Sequence, residues 1–205
     1  MPLDHKGMLE IDADIRKART LHSDFYTSDE WFAASLEKIF ARSWQFVART
    51  ADLTQSLTPS TLLSGTLDEP ILVVKRGTSI SCVTNVCTHR GKVLVESACN
   101  AELIRCPYHG RRFDLDGRCA SMPEFESVVG FPSEKDDLLH LDCVERGGYI
   151  FVSLAPAIEF DEAFSDVAEY LDSRYAQPLE LSSTREYEVN AHWALYCENY
   201  LEGFH

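Results

Sequence analysis

The sequence lacks any apolar run close to the ~18 residues of a membrane-spanning helix, which argues against helical insertion in a bilayer. Met1 to Glu10 lack the basic start and apolar middle of a secretion signal, so the chain is expected in the cytoplasm. Positive charge is scarce: 19 Lys and Arg stand against 33 Asp and Glu, a formal net charge of −14. Such a balance disfavours nonspecific nucleic-acid binding. Internal repeats and low-complexity tracts are missing as well. What remains is a chain of 205 residues with 45% hydrophobic content, typical of a globular protein of one or two domains.

Two short motifs carry chemistry: Cys87-Thr88-His89 and Cys106-Pro107-Tyr108-His109, with sixteen residues between His89 and Cys106. Two thiolates and two imidazoles suit a single metal centre. Zinc fingers set Cys beside Cys and His beside His, whereas each motif here holds one of each. That pattern suits a cluster of two irons and two sulfides, with thiolates on one iron and imidazoles on the other. Structural zinc stays open as an alternative. Gly91 and Gly110 follow closely on the histidines and permit positive φ, so backbone amides can approach a cluster. Pro107 stiffens the second loop, and the Tyr108 hydroxyl is expected to bond to a sulfur or a cysteine ligand. Beyond Cys87 and Cys106 lie Cys82, Cys99, Cys119, Cys143 and Cys197. An odd remainder without a secretion signal argues for reduced thiols, and Cys99 is expected to be structural.

The paired motifs resemble those of the Rieske family, C-x-H followed by C-x2-H. The resemblance implies that Cys87 and Cys106 bind one iron of a [2Fe-2S] cluster and that His89 and His109 bind the other. Imidazole in place of thiolate makes reduction easier, with potentials of roughly −150 to +300 mV against about −400 mV for all-thiolate plant-type clusters. The respiratory branch carries an extra, disulfide-bonded cysteine in each loop. Lys92 and Tyr108 stand there instead, which points to the oxygenase or ferredoxin branch. Many oxygenases have Trp after the second H-G; here it is Arg111.

Residues from about Phe46 to Leu154 read as short strands with turns. Ile71–Val74 and Ser79–Val83 flank Arg76-Gly77, Arg112–Leu115 and Arg118–Ala120 flank Asp116-Gly117, and Tyr149–Val152 follows Gly147-Gly148. These imply a small antiparallel sandwich or barrel with both motifs on loops. Before it, Ser28-Asp29-Glu30 opens a helix that Ser28 is expected to cap, with Phe32, Leu36, Ile39 and Phe40 as its buried stripe. After Pro156, Asp161 to Tyr175 reads as an acidic helix, Glu186–Val189 as a strand, and His192 to His205 as a last helix. Asn199 and Glu202 then share a face, with His205 rotated but adjacent.

That last segment resembles the start of the catalytic domain of Rieske non-heme iron oxygenases, large-subunit type. By that resemblance His205 is a ligand of a mononuclear Fe(II), Glu202 links the iron to a neighbouring subunit's cluster, and Asn199 stands beside the iron. The second histidine and the carboxylate of the usual facial triad are not in the sequence, so the chain is expected to be a fragment, inactive in oxygenation by itself. The expected organisation is a helical arm at 1–45, a mainly β Rieske domain at 46–155 and the truncated start of an α+β catalytic domain at 156–205.

The resemblance further implies a mono- or dioxygenase in its full form. An external reductase or ferredoxin would supply electrons, and the assembly would be a homotrimer or an alpha/beta oligomer. A Rieske ferredoxin acting only as an electron carrier is the rival expectation. Charge around the motifs differs from the rest of the chain. Val86 to Arg118 holds six basic and four acidic residues, a net of +2, whereas Pro156 to the end holds two and eleven, a net of −9. Arg90, Arg111 and Arg112 are therefore expected to attract an acidic electron donor.

Overall fold

The alternation Ile71-Leu72-Val73-Val74 organises the molecule. In the computed structural model, which describes residues 9–174 and 180–202, these residues lie on one strand buried on both faces. Ile71 and Val73 point into one apolar cluster with Leu53, Leu62, Cys82, Leu141, Ile150 and Val152. Leu72 and Val74 point into another, with Leu57, Val83, Ile104, Phe113 and Leu138. Successive side chains of a strand face opposite ways, so β-branched and aliphatic residues without a polar partner position suit a strand that has no wet face.

The strands are β1 (Gln45–Arg49), β2 (Leu57–Leu62), β3 (Glu69–Arg76), β4 (Ser79–Thr84), β5 (Ile104–Arg105), β6 (Arg112–Phe113), β7 (Cys119–Ser121), β8 (His140–Arg146) and β9 (Tyr149–Ser153). Six form an antiparallel sheet in the order β1-β9-β8-β4-β3-β2. Its two edge strands, β1 and β2, also touch each other, so the sheet curls toward a barrel. β5, β6 and β7 form a second, three-stranded sheet. The expected antiparallel β fold is thus present, with the hairpins at Arg76-Gly77, Asp116-Gly117 and Gly147-Gly148 where the turn residues place them.

Two compact units divide the chain. The strands belong to Phe40–Glu180; the other unit draws on the chain up to Ile39 and from Leu181 onward. In the second unit, α1 (Asp24–Thr27), α2 (Asp29–Lys38) and α3 (Trp193–Leu201) supply a small core of Phe25, Trp31 and Ala194. Here the expected stripe of α2 is corrected. Trp31 and Ser35 are the buried residues, while Phe32 and Ile39 are 37% and 43% exposed. Packing decides the face: Trp31 meets Phe25 edge-on at 5.7 Å, and Trp193 Nε1 donates to Ser35 Oγ at 3.1 Å. Ser28 occupies the N-cap position but its hydroxyl makes no capping bond.

Three expectations for the later chain also change. The acidic helix is broken at Phe164 into Phe160–Ala163 and Ser165–Arg174, and Tyr175 lies outside the described residues. Glu186–Val189 is irregular, with no partner strand among the described residues to hold it extended. The last helix ends at Leu201, and Glu202 is already extended at φ −71°, ψ 123°. No helix among the described residues is long and apolar enough to cross a membrane.

Candidate metal centre

Both Cys/His motifs lie in loops of the Phe40–Glu180 unit, one leaving β4 and the other joining β5 to β6. The two loops close in the same way. In the first, Cys87 N–H donates to Lys92 C=O and Gly91 N–H to Cys87 C=O, both at 2.9 Å. In the second, Cys106 N–H donates to Arg111 C=O at 2.8 Å and Gly110 N–H to Cys106 C=O at 3.0 Å. Each cysteine is thus the pivot of a tight turn. The turns require left-handed backbone at Gly91 (φ 67°) and Gly110 (φ 73°), which glycine adopts without strain. At Gly110 a Cβ would also meet Pro123 Cγ at 3.2 Å.

The loops bring the four residues together in pairs. Cys87 and Cys106 are both buried, at 2% and 3% exposure, within the core cluster of Leu72 and Phe113. Burial pushes the Cys87 thiol above its ordinary value and Cys106 adds to this, while the backbone at His89 and the charge of Arg111 pull it down. His89 and His109 sit ring to ring with centroids 5.0 Å apart. Burial, His109 and the guanidiniums of Arg111 and Arg90 hold His89 below the ordinary imidazole range, which favours the neutral ring a metal requires. His109 Nδ1 is buried without a hydrogen-bond partner. An orphaned buried nitrogen costs free energy unless a ligand completes it, and a metal ion is such a ligand.

Among the described residues, no three His, Cys, Asp or Glu side chains converge on one ion, as tetrahedral zinc needs. One thiol pair and one imidazole pair fit a two-iron group better, so this donor set could hold a [2Fe-2S] cluster.

Two expectations around the loops are revised. Tyr108 stacks on His109 at 3.7 Å between centroids and is 61% exposed, so its contact is ring on ring and not a hydroxyl turned toward the buried thiols. Arg111 is 4% exposed and paired with Asp136, so it cannot present charge to a partner; Arg90 and Arg112 remain exposed. Cys99 is structural as expected, exchanging backbone hydrogen bonds with Leu57 at 2.9 and 3.0 Å.

Sequence reasoning missed three supports. Asn85, 2% exposed, donates to Val95 C=O and accepts from Val95 N–H, closing the segment that carries the first motif. Thr88 donates to Asp136 C=O at 2.6 Å, and Asp136 in turn accepts from Ser133. Only the position of Thr88 between two candidate ligands could have signalled any of them. Asn199 and Glu202 are both exposed, and His205 lies outside the described residues.

Comparison with known proteins agrees with this geometry. Residues 43–132 match the Rieske [2Fe-2S] domain. The chain is 31% identical over 194 residues to the carnitine monooxygenase oxygenase subunit of Acinetobacter pittii (strain PHEA-2), covering 92% of this chain and 52% of the relative. It is 27% identical to the chloroplastic choline monooxygenase of Spinacia oleracea, covering 94% and 46%. A crystal structure of the quaternary ammonium Rieske monooxygenase CntA superposes with a TM-score of 0.76 at 29% identity, over 92% of this chain and 53% of that one. Naphthalene 1,2-dioxygenase superposes at 0.59 with 27% identity, over 70% and 33%. The chain spans about half the length of the curated relatives it matches. It carries a Rieske [2Fe-2S] domain, and along most of its length it is similar to the oxygenase subunits of Rieske oxygenases.

Proposed function

We propose that this chain is the electron-entry part of a Rieske oxygenase. Cys87 and Cys106 hold one iron of the cluster, and His89 and His109 hold the other. The observation that carries this is the pairing of two buried thiols with two adjacent imidazoles, one of which has a buried, unpartnered Nδ1. When bound, a [2Fe-2S] cluster supplies reversible one-electron storage. The residues do the rest. The core around Leu72 and Phe113 excludes water from the thiol side, while the histidines lie nearer the surface, where an electron donor or acceptor approaches. Tyr108 shields one face of His109.

The wider assignment is an oxidoreductase that accepts electrons from a reductase or ferredoxin and uses O2 to hydroxylate or demethylate an organic substrate at a mononuclear iron. It works as a homotrimer or alpha/beta assembly. Asn199, Glu202 and His205 are its candidates beside that iron, and 1–45, 46–155 and 156–205 its arm, Rieske domain and opening of the catalytic domain. The relatives named for carnitine and choline supply the first substrates to assay.

The test is electron paramagnetic resonance of the chain after anaerobic cluster assembly and reduction. Wild type gives a Rieske signal, and His109→Ala abolishes it. A colourless protein with stoichiometric zinc, or an unchanged signal in His109→Ala, refutes the ligand set.

A further inference from the structure

Among the described residues, the buried charged side chain beside the two motif loops is Arg111, and the ligand assignment makes no use of it. Its side chain is 5% exposed. Nη1 donates to Thr88 Oγ1 at 2.9 Å and lies 3.2 Å from Asp136 Oδ1. The guanidinium carbon sits 5.2 Å from the centre of the Phe131 ring. Arg111 therefore ties the second loop, through Thr88, to the first, and both to the turn at Asp136. Yet Nε is buried without a hydrogen-bond partner. A guanidinium is planar with five donors in a fixed fork. An orphaned buried donor is rare in native structures and marks an acceptor still to be supplied. Thr88 stands between Cys87 and His89 in the chain, so this bond holds the guanidinium beside the first motif while Arg111 itself follows the second.

We propose that Arg111 is a positioning residue that sets the reduction potential of the cluster, holding a fixed positive charge and a buried, unpartnered Nε–H beside the two motif loops. This rests on the ligand assignment above. Reduction transfers one electron from an external reductant and adds one negative charge at the site, with no bond made or broken. A buried cation stabilises the reduced state more than the oxidised one, because charges interact strongly where water is excluded. Hydrogen bonds to sulfur and net local charge act in the same direction on such clusters. Asp136, paired with the guanidinium at Nη1, opposes the effect with its negative charge. The potential is therefore set by an ion pair whose two members pull in opposite directions, which gives the proposal a sign.

The experiment is a redox titration, followed by electron paramagnetic resonance, on the full chain with its cluster assembled. Arg111→Met removes the charge and keeps the stem. Its potential is expected to shift downward by at least a tenfold change in the reduction equilibrium, about 59 mV for one electron. Arg111→Lys keeps the charge and is expected to restore most of that shift. Asp136→Asn removes the opposing anion while keeping an acceptor for Ser133, and is expected to shift the potential upward. An unmoved potential in Arg111→Met, or downward shifts in both Arg111→Met and Asp136→Asn, overturns the proposal, since loosened packing has no reason to reverse sign. If Arg111→Met fails to fold, the upward shift in Asp136→Asn decides alone, and its absence overturns the proposal. A wild type that takes up no cluster refutes the ligand assignment and this inference together; a normal wild-type cluster with an unmoved Arg111→Met potential refutes this inference alone.

Discussion

At the residue scale, the chemistry of the candidate centre was legible because metals demand particular residue types at short spacing. Cys87, His89, Cys106 and His109 could be named from the sequence for that reason. Their supports could not. Asn85 meets Val95 ten residues on, and Thr88 meets Asp136 across 48 residues. Asn, Thr and Asp are common loop residues, so only the fold reveals which of them matter. Asn85→Ala would leave both Val95 backbone groups without their buried partner, at a cost of about 1–3 kcal/mol. Urea denaturation should show the midpoint falling with an unchanged slope. A second prediction concerns Tyr26, whose hydroxyl donates to Glu198 at 2.7 Å. Burial and that bond push its phenol from an ordinary 10 up to about 12. Because the folded value is raised, the stabilisation is fully present below pH 10 and is lost as pH rises through about 12. In an alkaline titration of tyrosinate absorbance, Tyr26→Phe should remove a step near pH 12; a curve unchanged there would contradict the assignment.

At the scale of elements, strands were read more truly than helices. The run from Ile71 to Val74 and the paired turn residues specify β3 and its neighbours locally, since each hairpin closes on residues near in sequence. The face of α2 depends instead on Trp193, 158 residues beyond Ser35, and no local periodicity reports a partner that distant. The same holds for Glu186–Val189, where Tyr187 and Val189 find no partner strand among the described residues. The three-stranded sheet shows what the legible part supports. Phe113, wholly buried on β6, packs in the core cluster that contains Cys87 and Cys106. Phe113→Ala should cost about 3–5 kcal/mol. Thermal unfolding should shift accordingly, and loss of the cluster absorbance should track the same transition.

At the scale of the whole molecule, the sequence charge pattern survives in amended form. With Arg111 buried in an ion pair, the two of the three expected arginines that stay exposed are Arg90 and Arg112. They stand out on a chain of net charge −14. An acidic donor should therefore reduce the cluster more slowly as salt rises, because screening at physiological ionic strength acts within about 8 Å. Arg90→Ala combined with Arg112→Ala should flatten that dependence. Stopped-flow reduction rates across a salt series provide the check, and a slope unaltered by the double variant would place docking elsewhere. The two buried cysteines have a broader consequence. On the proposed ligand assignment, and because they are part of the hydrophobic core and not appended to it, metal supply and folding become one thermodynamic balance. A cell short of iron would register the shortage as unstable protein before it registered a slow reaction, and the melting temperature of the purified chain would serve as a gauge of how much iron it had received.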